Sequence, residues 1–192
     1  NQPESVGGIV GELCRSHAPV PTATRWVVAS VRADRAWAKF GTMGEGILVA
    51  QPDTGVADHR ELDGAVDMAK GRDVLTGGPP VDPLSPSMKN PGHGTGTSST
   101  VVSRAALGIV GSAPGATLVP FRCTDSVIIE GGAAVASAID HARLAKCDVV
   151  TMSLGGPIEG ADLRRAIERA VKADMIVLAA AGNCVGFVVY PA

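Results

Sequence analysis

Gly46-Ile47-Leu48-Val49-Ala50-Gln51-Pro52-Asp53-Thr54-Gly55 is a short, mostly apolar run, led by glycine, that stops at an acid, a hydroxyl and a second glycine. A continuous apolar run of this length, bounded by turn residues, reads as a buried strand of a parallel sheet. Asp53 then stands at the carboxyl end of the strand, where open α/β sheets hold their ligands. Pro52 has no N–H to give a ladder, so the strand either ends there or lies unpaired at that point.

Downstream, strands and helices alternate. Thr117–Arg122 reads as a strand. Val135, Ala138, Ile139, Ala142 and Ala145 recur at helical spacing, with Ser137, Asp140, Arg143 and Lys146 on the other side. That pattern is an amphipathic helix. Cys147–Met152 is the next strand, and Leu163, Ala166, Ile167, Ala170 and Val171 mark a second helix. Met175–Ala179 follows as a strand. Alternation at this spacing implies a parallel sheet with right-handed crossovers, an α/β fold.

The stretch before Gly46 is less regular. Arg25–Val31 is rich in valine and reads as a strand, and Ala33–Phe40 as a short helix containing Trp37. Gly41–Gly46 resembles a phosphate loop in composition, but phosphate loops follow a strand and open a helix, whereas this one precedes a strand. From Val56 to Asn90 the chain is polar and proline-rich, which reads as an exposed connection with little regular structure and His59 as a solvated turn residue.

Composition narrows the classes of function. The chain has 192 residues, 45% hydrophobic and 19% charged, enough for one domain with a substantial core. Aromatics make up only 3%, so that core is aliphatic, and 24 glycines with 13 prolines indicate many turns. A net charge of −2 leaves no footprint for nucleic acid and no basic membrane patch. No apolar run approaches the ~20 residues that span a bilayer. Cys14, Cys123, Cys147 and Cys184 have no metal-type spacing, which argues against zinc. Their even number permits two disulfides, but three fall in or beside expected core strands, and we expect free thiols. The chain opens at Asn1 without a leader-like segment, so we expect any native leader to have been removed or to lie outside it.

Four pieces in order carry more information: Asp53-Thr54-Gly55, Gly92-His93-Gly94-Thr95, Ser153-Leu154-Gly155-Gly156-Pro157 and Ala180-Ala181-Gly182-Asn183. Together they resemble the catalytic domain of subtilisin-like serine proteases, from about Gly46 to Ala192. The resemblance implies a three-layer α/β fold with a mainly parallel central sheet and helices on both faces, truncated at its C-terminus. It divides the chain into an approach segment, 1–45, and a partial catalytic domain, 46–192, that lacks the nucleophile segment. By the same resemblance the segment from Thr95 to about Gly108 is the buried helix behind the histidine. Its β-branched and hydroxyl residues would not suggest a helix by propensity.

Peptide hydrolysis needs a nucleophile, a base, an orienter for the base and donors to the oxyanion. The resemblance assigns Asp53 as orienter, His93 as general base and Asn183 as oxyanion donor. The family's nucleophile sits in a Gly-Thr-Ser-x-Ala segment later in its chain. Gly96-Thr97-Ser98 imitates that segment, but Ser98 lies five residues after His93. On a helix this offset turns it ~140° away from the imidazole, so Ser98 reads as a packing residue. Ser153, Leu154, Gly155 and Gly156 are expected to pair with the backbone of an extended substrate. Spacing back from Ser153 places a second edge near Val127, Ile128, Ile129 and Glu130, the two clamping the peptide between them.

The partner implied is a peptide or protein substrate, in a secreted or extracytoplasmic protein, with the oligomeric state left open. No cofactor is implied, and no metal ligand is named. Calcium often stabilises this family, yet Glu61 and the acids near it match its sites too loosely to assign. Two functions follow: an endopeptidase whose serine lies beyond this chain, leaving the chain alone inactive, or a pseudoprotease that binds peptide without cutting it. A third, the aspartic proteases that share Asp-Thr-Gly, fails because those all-β enzymes need two such aspartates.

Overall fold

A computed structural model of the chain describes residues 26–183 and 186–192. Its centre is a parallel sheet of five strands in the order β2-β3-β1-β4-β5. The strands are β1 (Leu48–Asp53), β2 (Arg72–Asp73), β3 (Thr117–Arg122), β4 (Val149–Met152) and β5 (Ile176–Ala179). The helices are α1 (Trp26–Ser30), α2 (Ala33–Phe40), α3 (His93–Val102), α4 (Ala133–Leu144) and α5 (Ala161–Lys172), with a short 3-10 turn at Arg60–Leu62.

Strand parity sorts the core into two layers. Ala50, Val119, Phe121, Val150 and Met152 face α4 and α5, where Val135, Ala138, Ile139, Leu163, Ala166 and Ala170 close over them. Val49 and Leu118 face the opposite side, with Val102 of α3 and Leu62, Ala65 and Ala116. Helices therefore cover both faces, as the resemblance implied. Of the apolar stripe expected on α5, Val171 is the exception and lies 56% exposed.

β1 runs through Pro52 to Asp53, in register with Phe121 and Arg122 of β3. The backbone of odd residues faces β3: the Ile47 carbonyl accepts from Thr117 and that of Asp53 from Cys123. Even residues face β4, and the β4 ladder has ended at Ala50. The N–H that Pro52 lacks thus falls where no partner is waiting.

Three expectations change. The valine-rich stretch Arg25–Val31 contributes α1, not a strand. Among its described residues only Val28 is buried, at 4%, with Trp26 and Val31 exposed. Among the described residues no sheet edge receives the segment, so its β propensity has nothing to act on. Ala33–Phe40 is helical as expected, capped by left-handed Gly41 and anchored where the Trp37 indole donates to the Ser112 carbonyl at 3.0 Å. α3 starts at His93 and stops at Val102, short of Gly108. Its hydroxyls turn inward along the helix: Thr97 and Ser98 donate to carbonyls four residues back, Ser99 and Thr100 to carbonyls three back. Such bonding occupies the groups that otherwise compete with a helix. The Val56–Asn90 connection is irregular as expected but not simply exposed. It buries Val56, Leu62, Ala65 and Met88 along with three acids, Glu61, Asp73 and Asp82.

Cys123 and Cys147 are free and buried. Burial pushes the Cys147 thiol up to about 11 and that of Cys123 higher still, so neither is a nucleophile near neutrality. Cys14 and Cys184 lie outside the described residues.

Candidate active site

β1 delivers Asp53 by alternation. Val49, Gln51 and Asp53 share the face toward α3, because side chains two apart on a strand point the same way. α3 begins at the carboxyl end of that strand with His93, after a left-handed Gly92 at φ 77°. Gly94 permits the approach. A Cβ there would lie 2.1 Å from the Gly55 carbonyl oxygen and 3.3 Å from the Asp53 Cβ.

The result is a direct contact. His93 Nδ1 lies 2.8 Å from one Asp53 oxygen and 3.1 Å from the other. Asp53 is 2% exposed, while the His93 side chain remains 27% exposed. The carboxylate also accepts from the Thr54 amide at 2.7 Å, and the Thr97 hydroxyl, its one proton shared with the His93 carbonyl, lies 3.2 Å away. An ionised carboxylate only accepts, so Nδ1 bears the proton and Nε2 keeps a free lone pair. Hydrogen bonding to Asp53 raises the His93 pKa; burial opposes it, and the charges of Asp53 and Asp82 add to the rise.

Beneath the pair lies a polar layer that sequence reading missed. Gln51, 2% exposed, donates from Nε2 to the Thr97 hydroxyl and to the Gly94 carbonyl at 3.2 Å, and accepts from Ser98 at 2.6 Å. Ser98 is fully buried, its one hydroxyl proton shared between Gln51 and the Gly94 carbonyl, the packing role expected of it. The signal was present in Gln51, the one amide in an otherwise apolar run, whose parity with Asp53 puts it under α3.

The remaining candidate residues gather along the same edge of the sheet. Ser153, half-buried, and Leu154, buried, follow the end of β4, and Asn183 stands exposed in a bend beyond the end of β5. The expected clamp is closed. Ile128 bridges Gly155 in parallel; the Ile129 amide donates to Gly155 and the Gly155 amide to Val127, both at 3.0 Å. Gly156 pairs on its other side with Tyr190, at 2.9 and 3.0 Å. The two edges thus satisfy each other, since unpaired backbone groups so near are best met by mutual bonding. No strand-wide gap separates them. Glu130 lies exposed beside an open depression of about 290 Å³ lined by Lys89, Cys123, Thr124, Ile128 and Ile129.

Glu61, the acid weighed for calcium, does not fit a metal ion. It is 2% exposed, and its oxygens accept from the Ser103 hydroxyl at 2.5 Å and the amides of Leu107 and Ile109 at 2.7 and 3.1 Å. Oxygens aimed at N–H and O–H donors are the reverse of a cation cage. Burial pushes this carboxyl up, but bonds from Ser103, Ile109, Leu107 and Ala106 outweigh it and hold it below the usual range.

Fold and site together match one class of protein, and the chain belongs to it: residues 44–189 match the model of the subtilase family, peptidase S8. Subtilisin Savinase of Lederbergia lenta is 29% identical over 170 residues, covering 87% of this chain and 59% of that protein. The major intracellular serine protease of Bacillus subtilis (strain 168) is 33% identical over 159 residues, covering 80% of this chain and 47% of that protein. Among solved structures, MycP1 with its N-terminal propeptide removed shares the fold. Its TM-score is 0.63 at 24% identity, with 82% of this chain and 49% of that one covered. The chain spans about half the length of the curated relatives it matches.

Proposed function

We propose that this chain carries the base and orienter of a serine endopeptidase whose nucleophilic serine is supplied by sequence outside these residues. The observation that carries the reading is the His93–Asp53 contact at 2.8 Å, with Nε2 left free at a partly open surface. In the reaction His93 takes a proton from the serine through Nε2 and returns it to the leaving amine. Asp53 fixes the tautomer and stabilises the imidazolium. Asn183 is the residue we assign to the oxyanion, where losing one donor typically costs about 10²–10³ in rate. The 153–156 edge, with Val127–Glu130 beside it, is the proposed seat for substrate backbone. A peptide enters by displacing the Ile128–Gly155 pairing, its own amides replacing those bonds.

Substrates of this reading are peptides or unfolded proteins, and the proposed setting is extracytoplasmic. Among the described residues no helix is long and apolar enough to cross a membrane. No cofactor enters the chemistry.

The test joins the chain to the sequence that follows it in its gene and supplies an unstructured protein as substrate. Cleavage and fluorophosphonate labelling of a downstream serine are expected, with Asp53→Asn about 10⁴ slower. The 192-residue chain alone is expected to take no label. Labelling of Ser98 or Ser153 in that chain overturns the assignment. Peptide binding without cleavage in the extended protein makes it a pseudoprotease.

A further inference from the structure

The connection between β1 and α3 holds a carboxylate that the proposed chemistry does not use. Asp82 is 2% exposed, and a buried acid persists only where donors compensate its lost hydration. Its Oδ2 accepts from the Thr54 hydroxyl at 2.7 Å and the Gly92 amide at 2.8 Å, and its Oδ1 from the Leu84 amide at 2.9 Å. The backbone docks as well. The Val56 amide donates to Pro80, the Asp82 amide to Val56, and left-handed Gly55 leaves no room for a Cβ, which would meet the Asp82 nitrogen at 2.7 Å.

Thr54 is the junction. It is fully buried, and its amide donates to Asp53 at 2.7 Å. Its hydroxyl has one proton, given to Asp82, and its lone pair accepts the Gly94 amide at 2.9 Å. The residues on either side of His93 are thereby held from one carboxylate, Gly92 directly and Gly94 through Thr54. We propose that Asp82 is a positioning residue of the Asp53–His93 pair: it locks the start of α3 to the end of β1 and sets a second buried negative charge behind the imidazole.

The charge has a specific opponent. His93 is the first residue of a ten-residue helix whose first turn holds no acid, so the positive end of the helix dipole disfavours its protonated form. Asp53 from β1 and Asp82 from the connection are the charged groups that act against this. Asp53 alone touches the ring, so the larger part is its own, and Asp82 contributes across one bonded step.

This inference rests on the reading of Asp53 and His93 as a catalytic pair, and the experiment separates the two. Hydrogen–deuterium exchange at histidine C2, read by mass spectrometry in the 192-residue chain, gives a titration midpoint for each histidine. His59 and His141 serve as internal controls. Asp82→Asn is expected to lower the His93 midpoint, less than Asp53→Asn does, and to leave those of His59 and His141 in place. Thr54→Val breaks the link without removing either charge and is expected to lower it too, while Thr54→Ser, which keeps the hydroxyl, restores the wild-type value. Should Asp82→Asn fail to fold, the two Thr54 variants decide alone. A His93 midpoint unmoved in Asp82→Asn or in Thr54→Val, with Asp53→Asn still shifting it, overturns the role of Asp82 and spares the pair. A midpoint unmoved in Asp53→Asn overturns both.

Discussion

The imidazole of His93 gains more from Asp53 when it is charged than when it is neutral, and two pH dependences of opposite sign follow. A histidine whose folded pKa is raised adds stability that is complete below its ordinary value near 6.5 and is lost as pH climbs through the raised one. The thermal midpoint of the chain is therefore expected to fall from pH 6 to pH 8.5, and calorimetry on His93→Gln should show that slope flattened. Catalysis needs the neutral ring, so kcat/KM of the extended enzyme is expected to rise with pH through a midpoint above 6.5, and a rate flat from pH 6 upward would contradict the assignment. Glu61 makes a separate point. Its carboxylate answers donors on the 103–109 segment, so Glu61→Ala leaves the Leu107 and Ile109 amides unmatched, Ser103 keeping the Ile109 carbonyl, and is expected to cost about 2–3 kcal/mol in chemical denaturation. The loss in Glu61→Ala should be the same with and without a chelator, and a smaller loss in the chelator's presence would return calcium to this site. Because this carboxyl is held below its usual range, its contribution is present at neutral pH and lost as pH falls through that lowered value.

Between elements, the fit of α3 onto β1 decides whether the pair can exist. The contact closes over Gly94, with no space for a methyl against the Gly55 carbonyl 2.1 Å from where a Cβ would stand. Gly94→Ala cannot be relieved by a rotamer, since backbone blocks it. Overpacking of this kind costs about 1–3 kcal/mol. The expected outcome is a lower thermal midpoint and, in the extended enzyme, a fall in kcat greater than any change in KM, because the substrate edges lie elsewhere. Retained activity would mean that α3 slides without parting His93 from Asp53. This element was the least legible in the sequence. Its Ser and Thr residues have poor helix propensity, and only the packed environment reveals that their hydroxyls bond back along the helix. α4 and α5 were plain, because an apolar stripe every third or fourth residue has one stable use beside a sheet.

For the molecule as a whole, the open flank of the sheet matters most. β5 pairs with β4 and, among the described residues, with no other strand, leaving Ile176 59% and Leu178 52% exposed. An apolar strand with a free edge recruits partners. The 192-residue chain is expected to self-associate, with light scattering after size exclusion showing a mass above 19.4 kDa. Ile176→Lys with Leu178→Lys should return it to a monomer, and a monomeric wild type with a sharp thermal transition would refute the expectation. The parallel sheet and its two crossover helices were determined by the sequence, because periodicity fixes which face each side chain takes, while the meeting of Asp53 with His93 at one rim was implied by the family resemblance alone. The closed pairing of Ile128 with Gly155, the helix at Trp26–Ser30 and the buried carboxylates of Glu61 and Asp82 were decided only by the tertiary structure. Whether a polar residue is solvated or enclosed depends on which distant segments supply its donors, and no local pattern of residues encodes that.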